Sequence, residues 1–220
     1  MDSYYKIPYI SEIADRVYTN KDKFKWHTGR RQDQHQVMGF SQTYIAQDSF
    51  LRYISKKIPG TLRLFKFPPN CYYRWHRDGD NLYNFNLTFT SQEAFVLFEN
   101  TNKDTQIFHT AITPVSTLRY ESKNWYLFNA DTKHSVYNLD TEWRYLLTYT
   151  VPRTTEISYL EALELCKKFV AGPERFELPT AGFEDQHSST ELRTDVPEVP
   201  LTRDGTIIDD LIGGRLHLPR

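Results

Sequence analysis

The sequence predicts a mainly β domain with flanking helices, of the sandwich or jelly-roll class. Three observations lead to this fold class. Aromatic residues make up 15% of the 220 residues, which is enough apolar surface to fill a core. Between residues 62 and 151 the apolar residues recur with a period of two, as in strands with one buried face. Turn-forming residues interrupt this pattern about every ten residues, which is typical of antiparallel sandwiches and barrels.

Three segments are expected to form helices, namely 5–18, 49–58 and 156–170. In the first, Ile10, Ile13 and Val17 recur at near-helical spacing, with Ser11 as the expected cap. The second has an amphipathic pattern that ends at Pro59, which cannot continue a helix. The third closes the strand-rich region.

Seven segments are expected to form strands, namely 62–67, 83–89, 94–99, 117–120, 125–128, 134–137 and 143–151. Trp75 and Trp125 are expected to lie in the core. Residues 20–39 are polar, include five Lys or Arg residues, and are expected to form a loop. Such a basic loop could close over the mouth of a jelly roll as a lid. His27 and His35 lie in it and are expected to be solvated, although His27 could reach a substrate.

Charge, cysteine content and hydropathy indicate the class of protein. The net charge is −1, which gives no global field for recruiting nucleic acid or a membrane. The two cysteines, Cys71 and Cys166, cannot form a disulfide framework, which fits a reducing compartment. No apolar run is long enough to span a bilayer, and the first residues lack the pattern of a signal peptide. A cytoplasmic protein without membrane contacts is therefore expected.

The composition changes near residue 171. All aromatic residues except Phe176 and Phe183 come before it, while the segment 171–220 is rich in Pro, Gly and acidic residues. This segment is expected to be a disordered tail, because it has too little apolar surface to offset the entropy of ordering. Residues 172–194 also resemble the antisense translation of a transfer-RNA gene, so the tail is either a read-through product or an ordinary acidic linker.

One short segment carries residues suited to metal chemistry. His76 and Asp78 are two residues apart, so in a strand their side chains point to the same face. Gly79 follows, which places the carboxylate where the strand turns. One imidazole and one carboxylate are two thirds of a facial site built from two histidines and one carboxylate. His134, which begins a predicted strand after a polar turn, is the expected third ligand, and His109 is the alternative.

Ten residues after His134 comes Arg144, the one basic residue in the predicted strand 143–151. A buried arginine is costly unless an anion pairs with it, and its planar fork suits a carboxylate. Glu142 has the same strand parity but lies at the polar start of the strand. A bound organic acid is therefore the expected partner of Arg144.

In this order and spacing, His76-x-Asp78, His134 and Arg144 resemble the superfamily of oxygenases that depend on 2-oxoglutarate and Fe(II). The resemblance covers roughly residues 62–151 and implies a double-stranded β-helix, the cupin-like form of the jelly roll. It implies that His76, Asp78 and His134 hold Fe(II), that Arg144 binds the far carboxylate of 2-oxoglutarate, and that O₂ is the oxidant. The chain is most similar to small prolyl and aspartyl/asparaginyl hydroxylases, some of them carried by phages, which would act in the host cytoplasm. Asp78 departs from the aspartyl hydroxylases that lack an acidic ligand.

The chain is expected to divide into three parts and to make further contacts with the cosubstrate. Residues 1–61 form an N-terminal helical and loop region with the lid, 62–170 the catalytic jelly roll with its closing helix, and 171–220 the tail. Asn86 and Thr88 alternate with apolar neighbours, so they are expected to face the interior and hydrogen-bond the cosubstrate. Tyr73 is a second candidate for contact with the far carboxylate.

The expected reaction is hydroxylation of a C–H bond in a peptidyl or small-molecule substrate, with release of succinate and CO₂. A nucleic-acid substrate is compatible with the basic loop but is not specifically indicated. Two alternatives stay open from the residues themselves. One is a non-catalytic, cupin-like module that binds a metal or a small acid through Arg144, and the other is a metal-dependent cupin such as a sugar isomerase, which has no use for 2-oxoglutarate.

Overall fold

The computed structural model describes residues 3–28, 36–40, 42–89, 94–99 and 115–172. The predictions for His35, for His109 and for the tail from residue 173 onward lie outside the described residues. The strands are β1 (Tyr4–Ile10), β2 (His27–Thr28), β3 (Gln36–Gly39), β4 (Thr61–Phe67), β5 (Cys71–His76), β6 (Asn81–Thr88), β7 (Ala94–Glu99), β8 (Val115–Leu118), β9 (Asn124–Phe128), β10 (His134–Asn138) and β11 (Arg144–Pro152). The helices are α1 (Ala14–Thr19), α2 (Gln42–Ala46), α3 (Ser49–Ser55) and α4 (Tyr159–Ala171), with a 3-10 turn at Lys21–Lys23.

The strands form two antiparallel sheets that face each other. The major sheet has seven strands in the order β1-β9-β6-β11-β4-β3-β2, and the minor sheet has four in the order β5-β10-β7-β8. Consecutive strands of the chain repeatedly lie in different sheets, as when β4 of the major sheet leads into β5 of the minor sheet. This arrangement confirms the predicted fold class of a mainly β jelly roll with flanking helices.

The outer face of the major sheet is covered by the helices. Phe50 of α3 contacts Phe85 of β6, Trp125 of β9 and Phe169 of α4, with ring centroids 5.3 to 5.8 Å apart. Burial of each such side chain contributes about 1.5 to 3 kcal/mol. The largest apolar core of the protein therefore lies outside the space between the two sheets.

The space between the sheets is partly apolar and partly polar. A smaller cluster packs there around Phe98 and Phe128, whose ring centroids are 5.0 Å apart. Along β6, however, the inward positions are Asn84, Asn86 and Thr88, all buried, because the alternating apolar residues face the helices. The strand alternation thus delivers polar side chains to the interior of the jelly roll.

Two of the predicted helices are confirmed: α3 is shorter than the predicted 49–58, and α4 begins three residues later and ends one residue later than the predicted 156–170. The N-cap of α3 is Asp48, whose buried carboxylate accepts hydrogen bonds from the Leu51 backbone amide (3.0 Å) and the Ser11 hydroxyl (2.5 Å). Helix α4 starts with a capping box between Ser158 and Glu161. None of the helices in the described ranges combines the length and apolar character that crossing a membrane requires.

The structure corrects three predictions. The first half of segment 5–18 is strand β1, paired with β9, and a helix begins only at Ala14. The apolar residues of this segment do not follow a single period, because β1 buries the first of them and α1 buries the rest. Part of 20–39 is also strand, because β2 and β3 extend the edge of the major sheet. Trp125 is fully buried as predicted, but Trp75 is 40% exposed on the minor sheet.

Gly60 provides a test of the packing between β4 and β11. A Cβ atom at this position would lie 2.6 Å from Cζ of Tyr149 and 2.7 Å from the carbonyl oxygen of Thr150. Because both neighbours are buried, we expect Gly60→Ala to lower the free energy of unfolding by roughly 1 to 3 kcal/mol in urea denaturation. The matched control is Gly39→Ala, where the added atom meets nothing within 4 Å. Equal stability of the two variants would contradict this packing.

Candidate metal centre

His76 lies at the end of β5 with its ring oriented by the backbone. Its Nδ1 is 2.6 Å from the carbonyl oxygen of Arg74. A carbonyl can only accept a hydrogen bond, so Nδ1 carries the proton and Nε2 keeps its lone pair in the neutral ring. Nε2 is directed at Asp78, 3.5 Å from Oδ1.

His134 begins β10 and is oriented in the same way. Its Nδ1 donates to the carbonyl oxygen of Thr132 at 2.8 Å, and its Nε2 lies 3.7 Å from Oδ1 of Asp78. Pairing of β10 with β5 places His134 directly opposite His76, with ring centroids 4.3 Å apart. Hydrogen bonds of this kind fix the tautomer and ring orientation of metal-binding histidines.

Asp78 completes the cluster. Its Oδ1 faces both imidazoles, while its Oδ2 accepts a hydrogen bond from Nδ2 of Asn84 at 3.0 Å. The strand ends at His76, so the turn that follows, and not the alternation of a strand, brings Asp78 to the same side. The potential ligand atoms of His76, Asp78 and His134 all lie within 4.8 Å of one another.

The protonation states suit metal binding. Burial pushes the pKa of Asp78 upward, but the hydrogen bond with His76 and the charges of His134 and His76 outweigh it and lower the pKa below its usual value. Burial also lowers the pKa of His134, against the opposing effect of Asp78. At neutral pH the cluster therefore offers a carboxylate and a neutral imidazole, which are the ligand forms. Two imidazole nitrogens and one carboxylate oxygen fit a divalent first-row metal such as Fe(II).

Arg153 holds the turn of Asp78 in place, and the sequence analysis did not single it out. Its guanidinium donates to the carbonyl oxygens of Asp78 (2.9 Å) and Gly79 (2.8 Å). It also forms an ion pair with Asp131 at 2.8 Å, in the turn that precedes His134. Arg153 therefore joins the two chain segments that supply the ligands. The sequence carries no specific signal for this contact beyond an arginine directly after the last strand.

Arg144 is fully buried on the inner face of β11. One of its nitrogens, Nη1, donates to the carbonyl oxygen of Tyr137 at 3.3 Å. Within the described part of the chain, its Nε and Nη2 have no hydrogen-bond partner. The guanidinium carbon lies 5.4 Å from the ring centroid of Tyr120 and 6.0 Å from that of Phe67. Burial lowers the pKa of Arg144, but arginine stays charged in proteins, so an anion bound beside it would offset the cost of burying the charge.

Polar atoms without partners line the space between Arg144 and Asp78. Asn86 and Thr88 are buried on the inner face, as predicted, and their Oδ1 and Oγ1 atoms have no hydrogen-bond partner among the described residues. Nδ2 of Asn86 donates to the hydroxyl of Tyr120 at 3.2 Å. Burial raises the pKa of Tyr120 to about 12, against the effect of Arg144, so its hydroxyl stays protonated and can donate.

Tyr73 and the remaining candidates take different places. The ring of Tyr73 lies between His76 and Phe67, at centroid distances of 5.8 and 5.9 Å. His27 lies in β2 at the far edge of the major sheet, away from the cluster. The predicted roles of Tyr73, Asn86 and Thr88 in cosubstrate binding stay predictions.

No protein-family model and no curated protein sequence matches this chain. Solved structures do match. HygX from Streptomyces hygroscopicus, determined with nickel, 2-oxoglutarate and hygromycin B bound, has a TM-score of 0.50 and 8% identity over 71% of this chain and 85% of that chain. A 2OG-Fe(II) oxygenase-family oxidoreductase from Burkholderia pseudomallei has a TM-score of 0.49 and 10% identity, covering 69% and 84%. A prolyl-4-hydroxylase from Pseudomonas putida has a TM-score of 0.46 and 15% identity, covering 64% of this chain and 84% of that chain.

The chain has a double-stranded β-helix fold, as HygX has. The fold implied by the resemblance of the sequence is thus confirmed. Because the identities are at most 15%, the likeness establishes the fold, and the chemistry must be argued from the residues of this chain.

Replacement of Arg153 tests whether it positions the candidate ligands. We expect Arg153→Met to weaken Co(II) binding by about tenfold, because contacts that orient ligands typically contribute 10- to 100-fold in metal affinity. The affinity would be measured by calorimetry and by the visible spectrum of bound Co(II). Lys167→Met is the matched control, since it removes an exposed ion pair with Glu164 at 2.8 Å on α4. Unchanged Co(II) affinity in the Arg153 variant would show that the ion pair has no positioning role.

Proposed function

We propose that this chain is a dioxygenase that uses Fe(II) and 2-oxoglutarate to hydroxylate a C–H bond of a peptidyl or small-molecule substrate. One combination carries the proposal. The cluster of His76, Asp78 and His134 shares the inner face of the jelly roll with Arg144, and two nitrogens of its buried guanidinium have no hydrogen-bond partner among the described residues. The first feature suits a divalent metal and the second suits an organic acid.

The three residues of the cluster would hold the metal, namely His76 and His134 through Nε2 and Asp78 through Oδ1. Bound Fe(II) supplies the activation of O₂ that couples decarboxylation of 2-oxoglutarate, giving succinate and CO₂, to hydroxylation of the substrate. The chain itself supplies the orientation. Asn84 holds the second carboxylate oxygen of Asp78, and the backbone carbonyls of Arg74 and Thr132 hold the two imidazoles.

Arg144 would bind the carboxylate of 2-oxoglutarate that lies far from the metal. Its Nε and Nη2, which no other described residue binds, can donate two parallel hydrogen bonds, the geometry in which guanidinium and carboxylate pair best. The hydroxyl of Tyr120 and the side chains of Asn86 and Thr88 lie on the same inner face and offer further hydrogen bonds. The rings of Tyr73 and Phe67 contact each other, and the Phe67 ring lies 6.0 Å from the guanidinium carbon of Arg144.

The compartment and the substrate class belong to the proposal as well. Cys71 and Cys166 are free thiols in the structure, which supports action in the reducing cytoplasm. HygX, which shares the fold, was determined with hygromycin B bound, and this supports a small molecule as one of the proposed substrate types.

The direct test is conversion of 2-oxoglutarate to succinate in the presence of Fe(II) and O₂, without added substrate. We expect slow, uncoupled turnover by the wild-type protein, and a loss of at least about 100-fold in His134→Ala, because removal of a ligand removes the metal. Co(II) titration of the same variant would show the loss of metal binding independently of turnover. Circular dichroism would show that the variant is folded.

The outcomes separate the candidate functions. Binding of 2-oxoglutarate without succinate formation would favour the non-catalytic, cupin-like module that holds a small acid through Arg144. Metal binding without any affinity for 2-oxoglutarate would favour another metal-dependent cupin. Either result would overturn the proposed dioxygenase activity.

Arg144→Met should separate the two binding functions. We expect Co(II) affinity within about twofold of the wild type and 2-oxoglutarate affinity reduced by at least about tenfold, since hydrogen bonds to charged groups contribute about 1.5 to 3 kcal/mol. We also expect the ligand-free variant to be at least as stable as the wild type, because an unpaired buried charge is removed. Calorimetry and thermal unfolding would measure these effects. Parallel loss of metal and 2-oxoglutarate binding would contradict the assigned role.

A further inference from the structure

The major sheet continues from β11 through β4 to β3 and β2, and the inner face of β4 carries a second arginine. Leu62 and Leu64 of β4 are buried in the outer core under the helices. Because side chains alternate along a strand, Arg63 and Phe65 point to the opposite, inner face. Arg63 is therefore on the same side of the sheet as the candidate metal centre.

The strand register places Arg63 near the metal-binding end of this face. Arg63 pairs with Thr148 of β11, and Thr148 pairs with Asn86 of β6. The next inward residue of β6 is Asn84, which holds Asp78 through its hydrogen bond. Arg63 thus lies in the cross-strand row adjacent to the one that positions the carboxylate ligand.

The connection between β4 and β5 supports the same position. Phe67 at the end of β4 contacts Tyr73 of β5, with ring centroids 5.9 Å apart. The chain reverses between them, so residues before Phe67 lie level with residues after Tyr73. Arg63 lies four residues before Phe67, and His76 lies three residues after Tyr73, so both are at similar distances from this contact. Arg63 therefore lies toward the His76 end of the candidate site, where the charge of Asp80, two residues after Asp78, acts on its guanidinium.

Arg63 is half-buried without a direct partner in the described part of the chain. Burial lowers the pKa of its guanidinium, and the charge of Asp80 opposes this shift without forming an ion pair with it. Beside it on β3, opposite in register, is Gly39, where an added Cβ would meet nothing within 4 Å. A desolvated cation next to open space is a binding position for an anion.

The two arginines of the inner face occupy different depths. Arg144 pairs in register with Phe67, four residues from Arg63 along β4, which corresponds to roughly 13 Å along an extended strand. Arg144 is 1% exposed, whereas Arg63 is half-buried beside the metal-binding end. Arg144, which is deeply buried, suits the enclosed cosubstrate. Arg63, which is nearer to solvent, suits an anionic group of a substrate that binds and dissociates in each turnover.

We propose that Arg63 anchors an anionic group of the substrate, so that the substrate of this enzyme is an acid bearing a carboxylate or a phosphate close to the C–H bond that reacts. This inference rests on the proposed function, since it names the substrate class for the same site. An anion held by Arg63 places the adjoining part of the substrate next to His76 and Asp78. A neutral substrate would leave the half-buried charge of Arg63 uncompensated.

The test uses small anions as probes and does not depend on knowing the substrate. The Nε–H resonance of Arg63, assigned by its disappearance in Arg63→Lys, is followed by NMR during titration with inorganic phosphate and, separately, with acetate. We expect this resonance to shift and to saturate, with a dissociation constant in the millimolar range, in the metal-free, full-length protein. A larger response to phosphate would indicate a phosphorylated substrate, and a larger response to acetate a carboxylic acid.

A second measurement tests proximity to the metal. In protein loaded with Co(II) and saturated with 2-oxoglutarate, which occupies Arg144, the relaxation of phosphate ³¹P should be enhanced by the metal. We expect Arg63→Met to reduce this enhancement at least fivefold and Arg63→Lys to retain part of it. Arg16→Met is the matched control, because Arg16 is an exposed arginine that donates to Gln47, far from the site.

The possible results distinguish this inference from the proposed function. Absence of any shift at Arg63, or relaxation that is equal in Arg63→Met and wild type, would overturn the anion anchor while leaving the dioxygenase proposal intact. A parallel loss of Co(II) affinity in Arg63→Met would also overturn it, since that result would mean that Arg63 supports the turn of Asp80. Saturable shifts at Arg63 in a protein that binds no Co(II) would retain the anion site and refute the metal centre.

Discussion

The candidate site depends on the antiparallel pairing of β10 with β5. This pairing sets His134 opposite His76, and β7 holds β10 from the other side by placing Phe98 opposite His134. Side chains alternate between the two faces of a strand, so a shift of β10 by one residue would turn the ring of His134 to the outside and Ser135 to the inside. The three ligands could not then converge, even though both strands would remain.

The two faces of the major sheet have separate roles: the apolar outer face stabilises the fold, so the inner face can carry polar residues that reduce stability. Helices α3 and α4 cover the outer face, where the largest apolar core is located, so the sheet does not need a fully apolar inner face. Buried polar atoms without partners cost free energy. Among the described residues, most of these atoms lie on the inner face, on Asn84, Asn86, Thr88, Thr148 and Arg144, where a bound ligand could satisfy them.

Electrostatics distinguishes the charged groups along this face. Asp78 has two imidazoles and the amide of Asn84 as partners, which keep it ionised despite burial. The guanidinium of Arg144 is more deeply buried and only partly hydrogen-bonded. Arg63 is half-buried, and the charge of Asp80 acts on it. Asp78 is thus in the form that binds a metal, whereas neither arginine forms an ion pair with a carboxylate among the described residues.

The sequence by itself determined the period-two strands, the helices near residues 49 and 159, and the residues His76, Asp78, His134 and Arg144, because these signals are local or depend on simple spacing. It misassigned segment 5–18, where the apolar residues serve first a strand paired with β9 and then a helix. Only the tertiary structure decided the roles of Arg153, Asn84 and Arg63. Arg153 contacts a carbonyl oxygen 74 residues away in the chain, and Arg63 is defined by its register with β11. Contacts of this kind arise from how strands align across a sheet, and that alignment is a property of the whole fold which no single segment encodes.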